Sequence, residues 1–174
     1  TAEELSPFLE WFPLSEFDLT VEELRDSEIT VAADGNPLAP ARKQTDLVRT
    51  TSRFRGCFPS LDLGGTELVH DRTIEGEFES EIVVSATVAE TIHGEQFAPL
   101  FDEMLSTGQL TVHVVDSVPF YLGVGADGLT QIGVEDDDGL PRALLETDAQ
   151  SVHEWATALF VDYRESSTTR LTDL

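Results

Sequence analysis

The run "PFYLGVGADGLTQIGVE", residues 119–135, constrains the fold of this chain more than any other stretch. It holds a Gly-x-Gly-x-x-Gly at Gly123, Gly125 and Gly128. In a dinucleotide site that spacing joins a strand to a helix, whose N-terminus receives the pyrophosphate. Here Asp127-Gly128 is a turn signal, and "LTQIGVE" beyond it alternates as a second strand does. Strand, Asp-Gly turn, strand is a β-hairpin, so the nucleotide reading fails. A kinase-type glycine loop fails too, because Thr130 stands where it needs Val and no "HRD" or "DFG" follows. The glycines are expected to relieve crowding where another backbone packs close.

Around this hairpin the periodicity alternates between helix and strand. Leu5, Phe8, Leu9 and Phe12 recur at helical spacing, with Ser6-Pro7 as cap and first-turn proline. A short helix is expected at 20–26, a strand in "EITVAADG", and a helix near 40–52. "FRGCFPSL" and "TELVHD" have no decided period, although His70-Asp71 reads as a strand end. "ESEIVVSATVA" is a buried strand, 96–107 a helix stopped by Gly108, and "QLTVHVVDS" a strand. A third hairpin strand is expected at Arg142–Glu146. The last helix carries Val152, Trp155, Ala156, Leu159, Phe160 and Tyr163 on one face, with Thr147-x-x-Gln150 as a capping box. The tail after Arg164 is expected to fray. With no repeat or linker, residues 1–174 read as one α/β domain: a mixed, largely parallel sheet flanked by helices.

Thirty-four acidic residues face ten basic ones, of which Lys43 is the sole lysine, giving a net charge of −24. Such a surface repels itself at ordinary salt, and acidic charge dispersed along a whole chain suits the cytoplasm of an extreme halophile. A DNA-mimicking or cation-binding patch would instead need acidic blocks, and the longest run is Glu135–Asp138. The chain itself is not expected to grip nucleic acid, which needs cationic contacts with phosphates. A single cysteine, Cys57, excludes an internal disulfide, fits a reducing cytoplasm and reads as a small core residue. No signal peptide or membrane-length apolar run is present, so no membrane partner is expected. The chain opens at Thr1-Ala2-Glu3, and a segment upstream is expected to have been removed.

Chemical motifs are sparse. Setting Gly139 of "VEDDDG" at the turn of a calcium loop puts Val134 and Leu145 at ligand positions, which excludes an EF-hand. His70, His93, His113 and His153 lack metal-ligand spacing, and neither metal nor cofactor is expected. His153 is expected to face solvent, and His113 with Asp116 to form a structural pair. The only materials for a hydrolase are His70, Asp71, His113 and Asp116; no triad is evident.

Taken in order, "LSPFLEW", "ITVAADGNPLAP", "FRGCFPSL", "EIVVSATV", the Pro-Phe-x-Leu hairpin and the closing "SVHEWATALFVDYRESS" resemble a known domain. It is the C-terminal domain of haloarchaeal winged-helix transcriptional regulators of the methanogen filamentation-regulator type. The resemblance implies a regulatory domain that dimerises and senses a small molecule, with DNA met only through a winged helix ahead of it. It further implies a degenerate phospholipase D-like half. The phospholipase strand reads His-x-Lys-x-x-x-x-Asp; with Asp127 on its aspartate, Phe120 replaces the histidine and Leu122 the lysine. Neither can do the chemistry, so no catalytic residue is expected. The alternatives are a ligand-free dimerisation module and a cryptic hydrolase.

A ligand cleft is expected at the carboxyl ends of the parallel strands. Arg49, Arg53, Arg55, His70 and Tyr121 are its candidate lining for an anionic or polyhydroxy ligand. The same arginines could instead brace the fold against neighbouring acids. Phe120, Tyr121 and Leu122 are the candidate homodimer interface. From the charge alone, the domain is expected to gain stability steeply between low salt and molar KCl as self-repulsion is screened. Circular-dichroism melts across that range measure this. A flat or falling melting temperature overturns the halophile reading.

Overall fold

The computed structural model describes residues 2–12, 14, 17–167 and 169–171. The amino-terminal helix α1 (Ala2–Leu9) is followed by β1 (Glu28–Val31), α2 (Ala39–Thr50) and β2 (Arg53–Phe58). Then come α3 (Leu63–Ile74), β3 (Glu79–Ser85), α4 (Ala86–Ile92), α5 (Ala98–Ser106) and β4 (Leu110–Val115). β5 (Tyr121–Gly125), β6 (Thr130–Glu135) and β7 (Pro141–Thr147) precede α6 (Gln150–Ser166) and β8 (Thr169–Leu171).

The strands form one eight-stranded sheet in the order β1-β7-β6-β5-β2-β3-β4-β8. Only β2–β3 and β3–β4 run parallel. The sheet is therefore mixed rather than largely parallel. Parallel neighbours need a crossover, which α3 and the α4–α5 pair supply; elsewhere short turns impose antiparallel pairing. One face packs on α1 and α6 and the other on α2 to α5, each with its own apolar core. Alternation along β2 sends Cys57 to the first core and Phe54 to the second. Burial pushes the Cys57 thiol up to about 12, so it stays a protonated core residue. Residues 116–120 carry the chain from β4 across the carboxyl ends of β3 and β2 into β5, with Val118 and Phe120 buried. Their apolar side chains lie across the ends of the strands where a cleft was expected.

The β5–β6 hairpin forms as the Asp-Gly turn requires: Gly128 has φ +93°, and the Asp127 carboxylate accepts from the Leu129 amide at 3.3 Å. The other glycines make room for rings more than for backbone. A Cβ on Gly123 would collide with the Tyr121 hydroxyl, and one on Gly133 would lie 3.1 Å from the same ring. Gly56 leaves space for the Phe54 ring and, at 2.9 Å, the Leu122 carbonyl.

Local signals misled in several places. Pro7 lies inside α1 rather than in its first turn. Residues 20–26 form turns, with the Thr20 amide donating to the Glu23 carboxylate at 2.9 Å. His70 and Asp71 lie on α3, whose amino end is capped by Asp62 accepting from the Gly65 amide. "ESEIVVSATVA" is not one strand: Ser85 accepts from the Val88 amide and starts α4. Thr147 accepts from the Ala149 amide instead of capping α6, and Gln150 reaches Glu154. The tail contains β8, which pairs with the outer edge of β4.

Gly123→Ala is expected to destabilise the domain by about 1–3 kcal/mol, because Tyr121 must leave its place. The same substitution in a Tyr121→Leu background costs much less. Denaturant melts of the four proteins read the difference. Equal costs in both backgrounds would show that the ring is not what excludes the side chain.

Candidate functional site

Between β2, β3 and β5 on one side and α2, α3 and α5 on the other lies an apolar cavity of about 70 Å³, room for about five waters. Its walls are aromatic. Phe54 and Phe58 have ring centroids 6.0 Å apart, Phe58 and Tyr121 5.3 Å, and Phe54 and Phe78 6.1 Å. Val48, Val69 and Met104 close it from the three helices.

The hydroxyls of the wall are nearly all engaged elsewhere. The Tyr121 hydroxyl donates to Gln131 Oε1 at 3.2 Å, and Thr66 Oγ1 donates to the Asp62 carbonyl at 2.8 Å. Thr45 donates to the Ala41 carbonyl and Ser60 to Glu135. Burial first, and the Glu146 charge second, push the Tyr121 phenol up, so it remains a donor. Ser80 differs. It is buried in β3, and its Oγ has no hydrogen-bond partner among the described residues. An orphaned hydroxyl costs about 1–3 kcal/mol unless something meets it. The one charged residue at the wall is Asp62, which caps α3.

The opposite face holds an open cleft of about 390 Å³ at the amino ends of β2, β3 and β4, roofed by α6. Arg55 Nε lies 3.9 Å from Glu81, Arg53 Nε 3.8 Å from Glu79, and Arg164 Nη1 3.3 Å from Glu81. His113 meets Glu81 Oε2 through Nε2 at 2.7 Å, so its partner is Glu81 and not Asp116. Burial pushes the Glu81 carboxyl up, but His113, Arg164 and Arg55 outweigh it and hold it below the usual carboxylate range. His153 is half-buried at the cleft, not solvent-facing; its Nδ1 is buried and unpartnered.

The sequence-derived candidates do not converge. Tyr121 lines the cavity; Arg53 and Arg55 line the cleft on the other face. Arg49 is exposed on α2. His70 sits between α3 and α5, with Nε2 at 2.9 Å from Glu103 and Nδ1 at 3.2 Å from Asp71. His70 and His113 thus flank opposite faces of the sheet and build no common hydrolytic site. Phe120, Tyr121 and Leu122 are buried within the single chain. Phe120 stacks among Phe12, Phe17 and Trp155, with centroids 5.0, 5.0 and 6.4 Å away. These side chains have no surface to offer a second copy. Ser80, Phe58 and Phe78 were not singled out in the sequence. The alternation of "RFRGCF" places Phe54 and Phe58 on one face, but nothing local marks Ser80 as a wall residue.

Residues 37–166 match the family model of the methanogenesis regulatory protein FilR1, middle domain. This is the regulator family that the resemblance named; the matching model describes its middle domain. No match was found among curated proteins. Among solved structures, TrmBL2, an archaeal chromatin protein, superimposes with a TM-score of 0.62 at 13% identity, over 95% of this chain and 60% of that one. The chain therefore spans about 60% of TrmBL2's length. NucT from Helicobacter pylori gives a TM-score of 0.65 at 9% identity, over 82% of this chain and 97% of that one. Nuc from Salmonella typhimurium, a phospholipase D family member, gives 0.59 at 8% identity, over 82% and 95%. The phospholipase D-like fold is thus shared, while Phe120 and Leu122 stand buried in apolar surroundings.

Burial pulls the His70 imidazole down, but Glu103 and Asp71 outweigh it and raise it above its ordinary value. The stability this adds is present below about pH 6.5 and lost as pH rises through the raised folded value. Thermal melts between about pH 6 and 8.5 should show wild type losing more than His70→Gln. Parallel profiles would mean that these carboxylates do not hold the charge.

Proposed function

Because the chain belongs to the family of the methanogenesis regulatory protein FilR1, middle domain, we propose that it is the sensing and self-pairing part of a transcription regulator. The reading is non-catalytic, supported by Phe120 and Leu122 where a phosphodiesterase needs an acid–base pair. DNA is met through a separate winged-helix part, since a net charge of −24 opposes phosphate contact by this domain. Its place is a cytoplasm rich in KCl, in keeping with that charge.

The observation that carries the sensing role is Ser80: an orphaned hydroxyl in an aromatic cavity without a free charge. Its complement is a small uncharged molecule, mostly apolar, with one polar atom set against Ser80 Oγ. This revises the anionic ligand expected from the arginines, which lie on the other face. Pairing with a second copy rests on symmetry, because two-fold operators are read by two-fold proteins. The surface used lies outside Phe120–Leu122. A ligand-free pairing module is the second reading, favoured by the buried Val118 and Phe120 that cross the carboxyl end of the sheet.

A thermal-shift screen of small uncharged cyclic alcohols, ketones and phenols in molar KCl tests the sensing role. At least one should raise the melting temperature. Ser80→Ala should weaken it about tenfold, matching one lost hydrogen bond, and Ile82→Phe should abolish it by filling the cavity. Light scattering on the same samples should give twice the 19.1 kDa chain mass. No shift from any compound would leave the ligand-free reading, and a constant monomer mass would remove self-pairing from this domain.

A further inference from the structure

We propose that the cleft at the amino ends of β2, β3 and β4 binds a small oxyanion, a phosphate or carboxylate group on a metabolite, held by Arg53, Arg55 and His153. The alternation of one strand sends most of the two linings to opposite faces, with Phe54 and Ser80 bordering both. Phe54 faces the cavity, while its neighbours Arg53 and Arg55 face the cleft.

Three observations point to an anion. First, neither arginine makes a hydrogen bond among the described residues, although the Arg55 guanidinium stands over the Phe160 ring at 5.6 Å. Each meets its glutamate only through Nε, at 3.8 and 3.9 Å, beyond hydrogen-bond distance. Among the described residues neither has a partner at its terminal nitrogens, so two planar forks stand two residues apart on one strand, and such a fork matches an oxyanion bidentately. Second, His153 lines the same space from α6, and its Nδ1, buried beneath the surface, has no hydrogen-bond partner among the described residues. Third, the cleft is locally balanced. Its lining sets Arg53 and Arg55 against Glu79 and Glu81, with Arg164 also on Glu81, in a chain that carries −24 overall. A polyanion meets repulsion from the whole surface, whereas a compact ion is matched inside the cleft. Gln109 and Thr111 line the floor as neutral polar groups. The site is also remote from Phe120 and Leu122. β5 is antiparallel to β2, so those residues lie at the carboxyl end of β2 and the cleft at its amino end.

The test is calorimetric titration of the domain in KCl at constant ionic strength, with inorganic phosphate in one arm and succinate in the other. At least one probe should bind saturably; the arm that binds tells a phosphoryl from a carboxylate ligand. Arg53→Gln, at an exposed position whose loss leaves the core intact, should weaken binding tenfold or more. His153→Gln should weaken it severalfold. Arg55→Lys, which keeps the charge but loses the fork, should also bind less. Ile82→Phe, which fills the cavity and lies outside the lining of the cleft, should bind as wild type does, so failure of the cavity reading leaves this result untouched. Absence of saturable binding in both arms overturns the proposal. So does wild-type affinity in both Arg53→Gln and His153→Gln.

Discussion

The Tyr121 ring lies across Gly123 and Gly133, and several parts of the molecule meet at that contact. Its hydroxyl reaches the wholly buried Gln131, whose amide donates to Glu146 at 2.8 Å and to the Lys43 carbonyl at 3.1 Å. The Lys43 ammonium in turn lies 3.2 Å from Glu28 and 3.6 Å from Glu146. One ring thus forms a cavity wall, fits the glycines of β5 and β6, and connects through Gln131 to α2, β7 and β1. A buried amide leaves little tolerance: a missing partner costs more than a made bond contributes. Of the glycines that mimic a nucleotide loop, Gly123 makes room for the phenol ring, Gly125 lies against Asp127 and Leu47, and Gly128 supplies the positive φ of the turn.

Cations are scarce in this chain, and several occupy joints between elements. Lys43 ties α2 to two strands. Arg72 donates to the carbonyls of Val48 and Thr51 at 2.5 and 2.6 Å, closing the carboxyl end of α2. Arg55 of β2 stands over the Phe160 ring at 5.6 Å and Arg164 of α6 lies 3.3 Å from Glu81 of β3, and both fasten α6 to the sheet. A positive group at a helix carboxyl end or over an aromatic face contributes about a kcal/mol, and contributes locally. The acids are spread over the exterior, where salt screens them, while the joints are partly sheltered. Long-range repulsion and short-range bracing therefore respond differently to ionic strength.

How much was legible in the sequence follows from how local each cause is. The β5–β6 hairpin, β7, α5 and α6 announced themselves because their turn residues and apolar stripes lie within one window. α3 did not: it begins with two glycines and buries Thr66 and Thr73, so its stripe is weak, and Asp62 was its only clear signal. α4 was hidden behind β3 because Ser85 ends one and caps the other. β8 has three residues and forms because the edge of β4 is available, a cause absent from its own composition. The family was readable from the order of several modest motifs. The cavity was not, because Ser80, Phe58 and Met104 come together only through the crossing of β3, β2 and α5.

Two groups of strands are built from near neighbours in sequence. β2, β3 and β4 are successive crossover units, and β5, β6 and β7 are successive hairpins. They meet along β2 and β5 from Phe54–Gly125 to Cys57–Leu122. β1 joins β7, and β8 joins β4, from a distance in the chain. Pairings so far apart in sequence carry the larger loop-closure entropy. Where the two groups meet, the apposed Gly56 and Gly123 leave one face to the rings of Phe54 and Tyr121, so the fit between the groups depends on where those rings settle.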